Sequence, residues 1–258
     1  MSKEPELNLL LDLGNTRIKW VWARVGAIIE SSFSRGELSD FMENCTPPGG
    51  GRLVRVLLSS VASQALTASV AAACESKFGL IAQALQSQAV LAGVENGYEN
   101  PAELGVDRWL AIVGAARTYG MPVVVMDLGT ATTLDAVDQQ GRHLGGLILP
   151  GPALMLEALG NATSMQVPAD LESNAGIESN SSEPGIGPAH STSSAITQGI
   201  RAAQVGALNQ FLRHVSVRLK AEPKLVITGG AAEGIMKNLE GVAVFDPWLV
   251  FKGMLQVQ

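Results

Sequence analysis

Apolar runs broken by short polar turns set the pattern of this chain from its first residues. Leu9-Leu10-Leu11 reads as a buried strand and Gly14-Asn15 as a turn. Ile18, Trp20 and Trp22 then alternate with Arg17, Lys19 and Val21, which is the period of a second strand. Gly26 to Phe33 predicts a third strand, and Gly36 to Asp40 turns the chain toward a short helix near Phe41. The Pro- and Gly-rich run 46–51 is a loop by composition. Leu53 to Ser60 predicts a strand that ends in a hydroxyl-rich turn. Ser63 can cap a helix in which Leu66, Val70, Ala73, Cys74 and Lys77 follow helical spacing, and Leu80 to Leu85 predicts a further strand. Strands alternating with helices indicate an α/β architecture.

Residues 89–99 carry no clear period. Pro101 to Trp109 leads into a helix whose buried face is Trp109, Ile112, Val113 and Ala116, and Gly120-Met121-Pro122 ends it. The opening pattern then returns. Val123 to Met126 is an apolar strand, Asp127-Leu128-Gly129 repeats Asp12-Leu13-Gly14, and the hydroxyls of Thr130, Thr132 and Thr133 follow. Two copies of one supersecondary unit, a small domain apart, predict an internally duplicated fold. The expected domains are residues 1–119 and 120–258, with both Asp-Gly turns presented to one cleft.

Leu144 to Gly151 closes the second hairpin region, and Pro152 suits the first turn of a helix. Ser173 to His190 is a long polar excursion by composition. Ser191 or Thr192 then caps a long helix whose apolar face runs through Ile196, Ile200, Ala203, Ala207, Phe211, Val215 and Leu219. Lys224 to Thr228 is a strand opening onto Gly229-Gly230. That pair either lets a flat ligand such as adenine lie against backbone or is a plain strand-to-helix turn. A short helix to Leu239 and a last strand, 242–245, follow.

Composition narrows the function. The chain has 258 residues, is 47% hydrophobic and 16% charged, and can therefore bury a substantial core. Its net charge of −6 argues against nucleic acid or an anionic membrane as a partner, where a basic face is expected. An anionic substrate must then be held by local cations, backbone donors or metal ions. Cys45 and Cys74 lack zinc or redox spacing and read as a loop thiol and a core-helix thiol. His143, His190 and His214 are too scattered for a metal site and read as surface or hydrogen-bonded side chains. The opening residues lack the basic-then-apolar order of a signal peptide, and the apolar stretch 144–159 is broken by Gly and Pro, so a cytoplasmic location is expected.

The Asp12 turn has two readings on its residues alone. It is a simple hairpin turn, or it is a phosphate site. In the second reading the Gly lets backbone approach a ligand and the turn's N–H groups face phosphate oxygens. Asp12 would face a hydrated magnesium ion, and Lys19 would supply a point charge.

Three separated segments resemble one family. They are Asp12-x-Gly14-Asn15-Thr16-x-x-Lys19, Leu104-Gly105-x-Asp107-Arg108-Trp109, and Asp127-x-Gly129-Thr130-Ala131-Thr132-Thr133 with Gly145-Gly146-x-Ile148-x-Pro150-Gly151. Together they resemble type III pantothenate kinase, which is similar to the acetate/sugar kinase, heat-shock and actin superfamily. The resemblance implies two ribonuclease-H-like domains with a nucleotide between them. It implies ATP-dependent phosphorylation of pantothenate to 4′-phosphopantothenate, the first step toward coenzyme A. The loop Asp12, Leu13, Gly14, Asn15, Thr16, Arg17, Ile18 and Lys19 resembles the family's phosphate-binding loop, and Thr130 its second nucleotide contact. Asp127 matches the carboxylate holding a monovalent cation, potassium or ammonium. Asp107 matches the catalytic base. Tyr98, Gly105, Val106, Asp107, Arg108 and Thr192 match pantothenate contacts, and the family is homodimeric. Two other readings remain: a related kinase or phosphatase for another small acceptor or polyphosphate, and an accessory regulatory protein acting through a protein partner.

Overall fold

The computed structural model describes residues 4–24, 26–34, 37–49, 51–162, 186–239 and 241–257. The chain divides into two compact units, Met1–Thr118 with Leu249–Gln258, and Tyr119–Trp248.

In the first unit, β1 (Glu6–Leu13), β2 (Ile18–Arg24) and β3 (Ala27–Ser34) form an antiparallel meander. After α1 (Leu38–Asn44), β4 (Arg52–Ser60) pairs parallel to β1. After α2 (Gln64–Phe78), the short β5 (Gln83–Ala84) pairs parallel to β4. The strand order is β3-β2-β1-β4-β5. The predicted strand 80–85 is thus only two residues long. Residues 89–99, without a period in the sequence, hold a small hairpin of β6 (Val90–Leu91) and β7 (Val94–Glu95).

One face of this sheet shows why the alternation in β2 matters. Ile18, Trp20 and Trp22 join Leu7, Leu9, Leu11 and Leu13 in one core under α1 and α2. Trp20 meets Phe41 of α1 edge-on at 5.4 Å, and Trp22 meets Phe78 of α2 at 5.9 Å. Each such side chain contributes about 1.5–3 kcal/mol by burial. α2 starts as its sequence signals: Ser63 Oγ accepts the Leu66 N–H at 3.3 Å, and Gly79 ends the helix in the left-handed conformation.

Cys45 corrects the loop-thiol reading. It sits at the end of α1 but is fully buried, in the same core as Cys74. Burial, and secondarily the nearby Cys74 sulfur, pushes the Cys45 thiol up to about 12; burial pushes Cys74 up to about 11. Both thiols should therefore resist a thiol-disulfide exchange reagent in the native protein at pH 8 and react only after unfolding, since the thiolate is the nucleophile. Rapid native labelling of either would contradict this packing.

The first unit continues with α3 (Val106–Tyr119) and closes with α7 (Leu249–Met254). The apolar spacing predicts one buried face on α3, but residues 108–116 are buried all round. The reason is α7, which lies so close that a Cβ on Gly114 would strike the Leu249 carbonyl, and one on Gly253 the Leu110 backbone. The final segment, Leu249–Gln258, packs in the first unit.

The second unit repeats the scheme. β8 (Val123–Leu128), β9 (Ala131–Val137) and β10 (His143–Pro150) form an antiparallel meander, followed by α4 (Pro152–Ala162) and α5 (Thr192–Leu219). β11 (Lys224–Thr228) pairs parallel to β8. After α6 (Ala232–Met236), β12 (Ala243–Phe245) pairs parallel to β11. The order β10-β9-β8-β11-β12 matches that of the first sheet strand for strand. Most of the predicted excursion 173–190 lies outside the described residues. Among the described residues no helix is long and apolar enough to cross a membrane.

Candidate active site

The duplication places two aspartates at equivalent points. Asp12 is the penultimate residue of β1, opposite Lys19 on β2 and Ser59 on β4. Asp127 is the penultimate residue of β8, opposite Thr133 on β9 and Thr228 on β11. Each is followed by a turn glycine that bonds back across its turn. The Gly14 N–H donates to the Arg17 carbonyl at 3.0 Å, and the Gly129 N–H to the Ala131 carbonyl at 3.1 Å.

In the first unit, Asp12 is buried and accepts a hydrogen bond from Ser59 Oγ at 3.4 Å. Lys19 Nζ lies 3.9 Å from Asp12 Oδ2 with its side chain about a third exposed. A pair so placed contributes at most about 1 kcal/mol, so Lys19 is free to turn toward an arriving phosphate. Leu13 and Ile18, expected in the phosphate loop, put their side chains in the core and leave only backbone for a ligand. Arg17 lies over the Phe33 ring at 5.5 Å, and Asn15 and Thr16 are exposed.

The start of α3 abuts the end of β4. The Val61 N–H donates to the Leu13 carbonyl at 3.0 Å, and a Cβ on Gly105 would lie 3.9 Å from Val61 Cγ1 and 2.8 Å from Asp107 Oδ1. Gly105 thus clears the space that the Asp107 carboxylate occupies. Asp107 is half-buried in the first turn, where its Oδ1 accepts the Arg108 N–H at 2.7 Å. Arg108 is buried: its Nη1 donates to the Tyr98 hydroxyl at 3.1 Å, and its guanidinium lies 5.8 Å from that ring. Tyr98, Gly105, Asp107 and Arg108 are therefore brought together, with the Val106 side chain packed inward.

Asn96 holds this loop and escaped the sequence reading. Its Oδ1 accepts the Tyr98 N–H at 3.0 Å, while Nδ2 donates to the Gln88 and Pro101 carbonyls at 3.2 and 3.3 Å. Ser59 was legible only as part of a hydroxyl-rich strand end.

In the second unit, Asp127 is half-buried and Thr130 exposed. Glycines crowd the turn between them. A Cβ on Gly229 would lie 2.5 Å from Asp127 Oδ1, and one on Gly151 2.5 Å from the Thr130 carbonyl oxygen. No side chain larger than hydrogen fits at either glycine. Thr192 is exposed at the first position of α5, and the alternative cap resolves in favour of Ser191, whose Oγ accepts the Ser194 N–H at 3.1 Å.

Of the histidines, His143 is buried with Nε2 3.0 Å from Asp135 Oδ1, while His190 and His214 are exposed. No group of three or more metal-ligating side chains occurs among the described residues.

Two sheets of identical strand order, each ending its first strand in an Asp-Gly turn, define an actin-like ATPase fold. Solved structures agree on the fold. A Baf family transcriptional activator from Campylobacter jejuni superposes with a TM-score of 0.55 at 20% identity, covering 95% of this chain and 94% of that one. The MamK double helical filament superposes at 0.50 with 11% identity, covering 97% of both. Sequence comparison is more specific. The family described as type III pantothenate kinase matches residues 8–214. The type III pantothenate kinase of Halorhodospira halophila is 32% identical over 260 residues, covering 96% of both chains. The chain belongs to the type III pantothenate kinase family.

Proposed function

We propose that this chain transfers the γ-phosphoryl group of ATP to the primary hydroxyl of pantothenate, with Asp107 as general base. The family match carries this reading, because it spans both Asp-Gly turns and the start of α3. Phosphoryl transfer needs positioning and charge neutralisation more than covalent help from the protein. The hydroxyl oxygen forms the new P–O bond, the bond to ADP breaks, and the hydroxyl proton passes to the Asp107 carboxylate. Arg108, held by Tyr98, gives charge-assisted hydrogen bonds to a substrate oxygen or carboxylate. Gly105, Val106 and Thr192 complete the pantothenate contacts.

The Asp12–Lys19 turn takes phosphate through Lys19 and the backbone of the exposed residues 15–17, and the Thr130 turn makes the second nucleotide contact. Asp12, held by the buried Ser59 hydroxyl, presents an oxygen ligand suited to magnesium through water, and Asp127 an oxygen ligand suited to potassium or ammonium. When bound, these cations neutralise phosphate charge that an acidic chain cannot offset by net charge. A homodimer belongs to this reading, and exposed Leu147, Ile148 and Leu154 offer apolar surface for it. A cytoplasmic location does as well, without nucleic-acid or membrane partners.

The test is ADP release from magnesium-ATP with and without pantothenate, in potassium and then in sodium buffer. Release should require pantothenate and fall in sodium. Pantothenate-independent release, or none from folded protein, would reject the assignment. Equal rates in both buffers would remove the cation from Asp127.

A further inference from the structure

The Thr130 turn is held from behind by one buried amide. The Gly151 N–H donates to the Thr130 carbonyl at 2.9 Å, and Pro150 pairs with Ala131 at the end of β10. The Pro150 carbonyl in turn accepts Gln204 Nε2–H at 3.0 Å. Gln204 projects from α5 and is 0% exposed. A carbonyl only accepts, so this bond fixes which way the amide faces. Nε2 also lies 3.2 Å from Met155 Sδ, while Oε1 is buried without a hydrogen-bond partner among the described residues. A buried acceptor with no donor destabilises a fold, and a methionine of similar shape would avoid that penalty. The orphaned Oε1 offsets the bond made by Nε2, so the amide adds little net stability at this position. What it supplies is one directed bond to the segment that clamps the turn.

We propose that Gln204 is a positioning residue for nucleotide binding, setting the Thr130 turn through Pro150 and Gly151. This rests on the reading of that turn as an ATP contact.

The experiment compares wild type with Gln204→Met. Amide hydrogen exchange over residues 127–131 is followed with and without magnesium-ATP, together with steady-state kinetics and thermal melting. In wild type, ATP should protect the turn. In Gln204→Met the turn should exchange faster without ATP, and KM for ATP should rise about tenfold, the scale of one lost hydrogen bond and within the roughly 10²-fold that a misplacement far from the chemistry can cost. The pantothenate KM should stay within about twofold and the melting temperature should change little, because the lost Nε2 bond is offset by removal of the orphaned Oε1. Gln204→Glu adds a second check. Its carboxylate cannot donate when ionised but can when protonated, so its KM for ATP should approach that of wild type as pH falls. ATP protection in wild type with an unchanged KM in Gln204→Met would overturn the proposal and leave the ATP reading standing. No ATP protection in wild type would overturn both. A lowered melting temperature with both KM values raised alike would make Gln204 merely structural and overturn the proposal.

Discussion

Asp107→Asn should lower kcat by about 10²- to 10⁴-fold, the usual range for removal of a general base. That loss corresponds to about 2.7–5.5 kcal/mol of barrier. The fold should survive. The Asp107 Oδ1 that accepts the Arg108 N–H at 2.7 Å is replaced by an amide oxygen that accepts as well. What goes is the first-turn charge, worth about 0.3–1 kcal/mol against the helix dipole. Two explanations for an acid at this position are thereby separated. If Asp107 only complements the helix, the variant loses a fraction of a kilocalorie and keeps its turnover. If it takes the pantothenate proton, stability barely moves and turnover collapses, while calorimetric ATP binding is unchanged because the phosphate turns lie on other segments of the chain. Near-normal turnover would remove Asp107 from the base role.

The parts of the fold that were legible in sequence rest on local chemistry. β1, β2 and β8 announce themselves because an apolar run, a glycine turn and a period-two strand lie within about a dozen residues. Repetition of Asp12-Leu13-Gly14 as Asp127-Leu128-Gly129 exposed the duplication, which the matching strand orders bear out. Contacts between distant segments were not legible. Asn96 looks like any loop asparagine until the chain folds and its three bonds pin the loop of Tyr98. Gln204 interrupts the apolar face of α5 as a polar residue normally placed in solvent, and only the return of Pro150 explains its burial. The burial of Arg108 was hidden for the same reason, since nothing near it in sequence shows that the Tyr98 hydroxyl meets it. α7 was missed most completely. It is six residues long, too short for a helical period to stand out, and its partner α3 lies more than a hundred residues away.

That hidden pairing carries the largest expected effect on stability. Gly253→Ala should destabilise the protein by about 2–4 kcal/mol, at or above the upper range for overpacking. The added methyl would lie 2.6 Å from the Leu110 carbonyl carbon and run into its oxygen. Backbone inside a buried helix cannot rotate away as a flexible side chain can. Relief requires α7 to move off α3, which uncovers part of Leu249, Val250, Phe251 and Met254, all buried now. Gly114→Ala should act alike from the other side, because its Cβ would strike the Leu249 carbonyl and come within 2.9 Å of the Gly253 N–H nitrogen. The two substitutions break one contact, so their effects should fall short of additive in a double variant. Denaturant unfolding monitored by far-UV circular dichroism gives all three values. Activity should fall with stability, since α3 carries Asp107 and Arg108 at its start and loses its packing partner. A Gly253→Ala protein as stable as wild type would mean that α7 does not dock at Leu110, and would detach the last segment of the chain from the first unit.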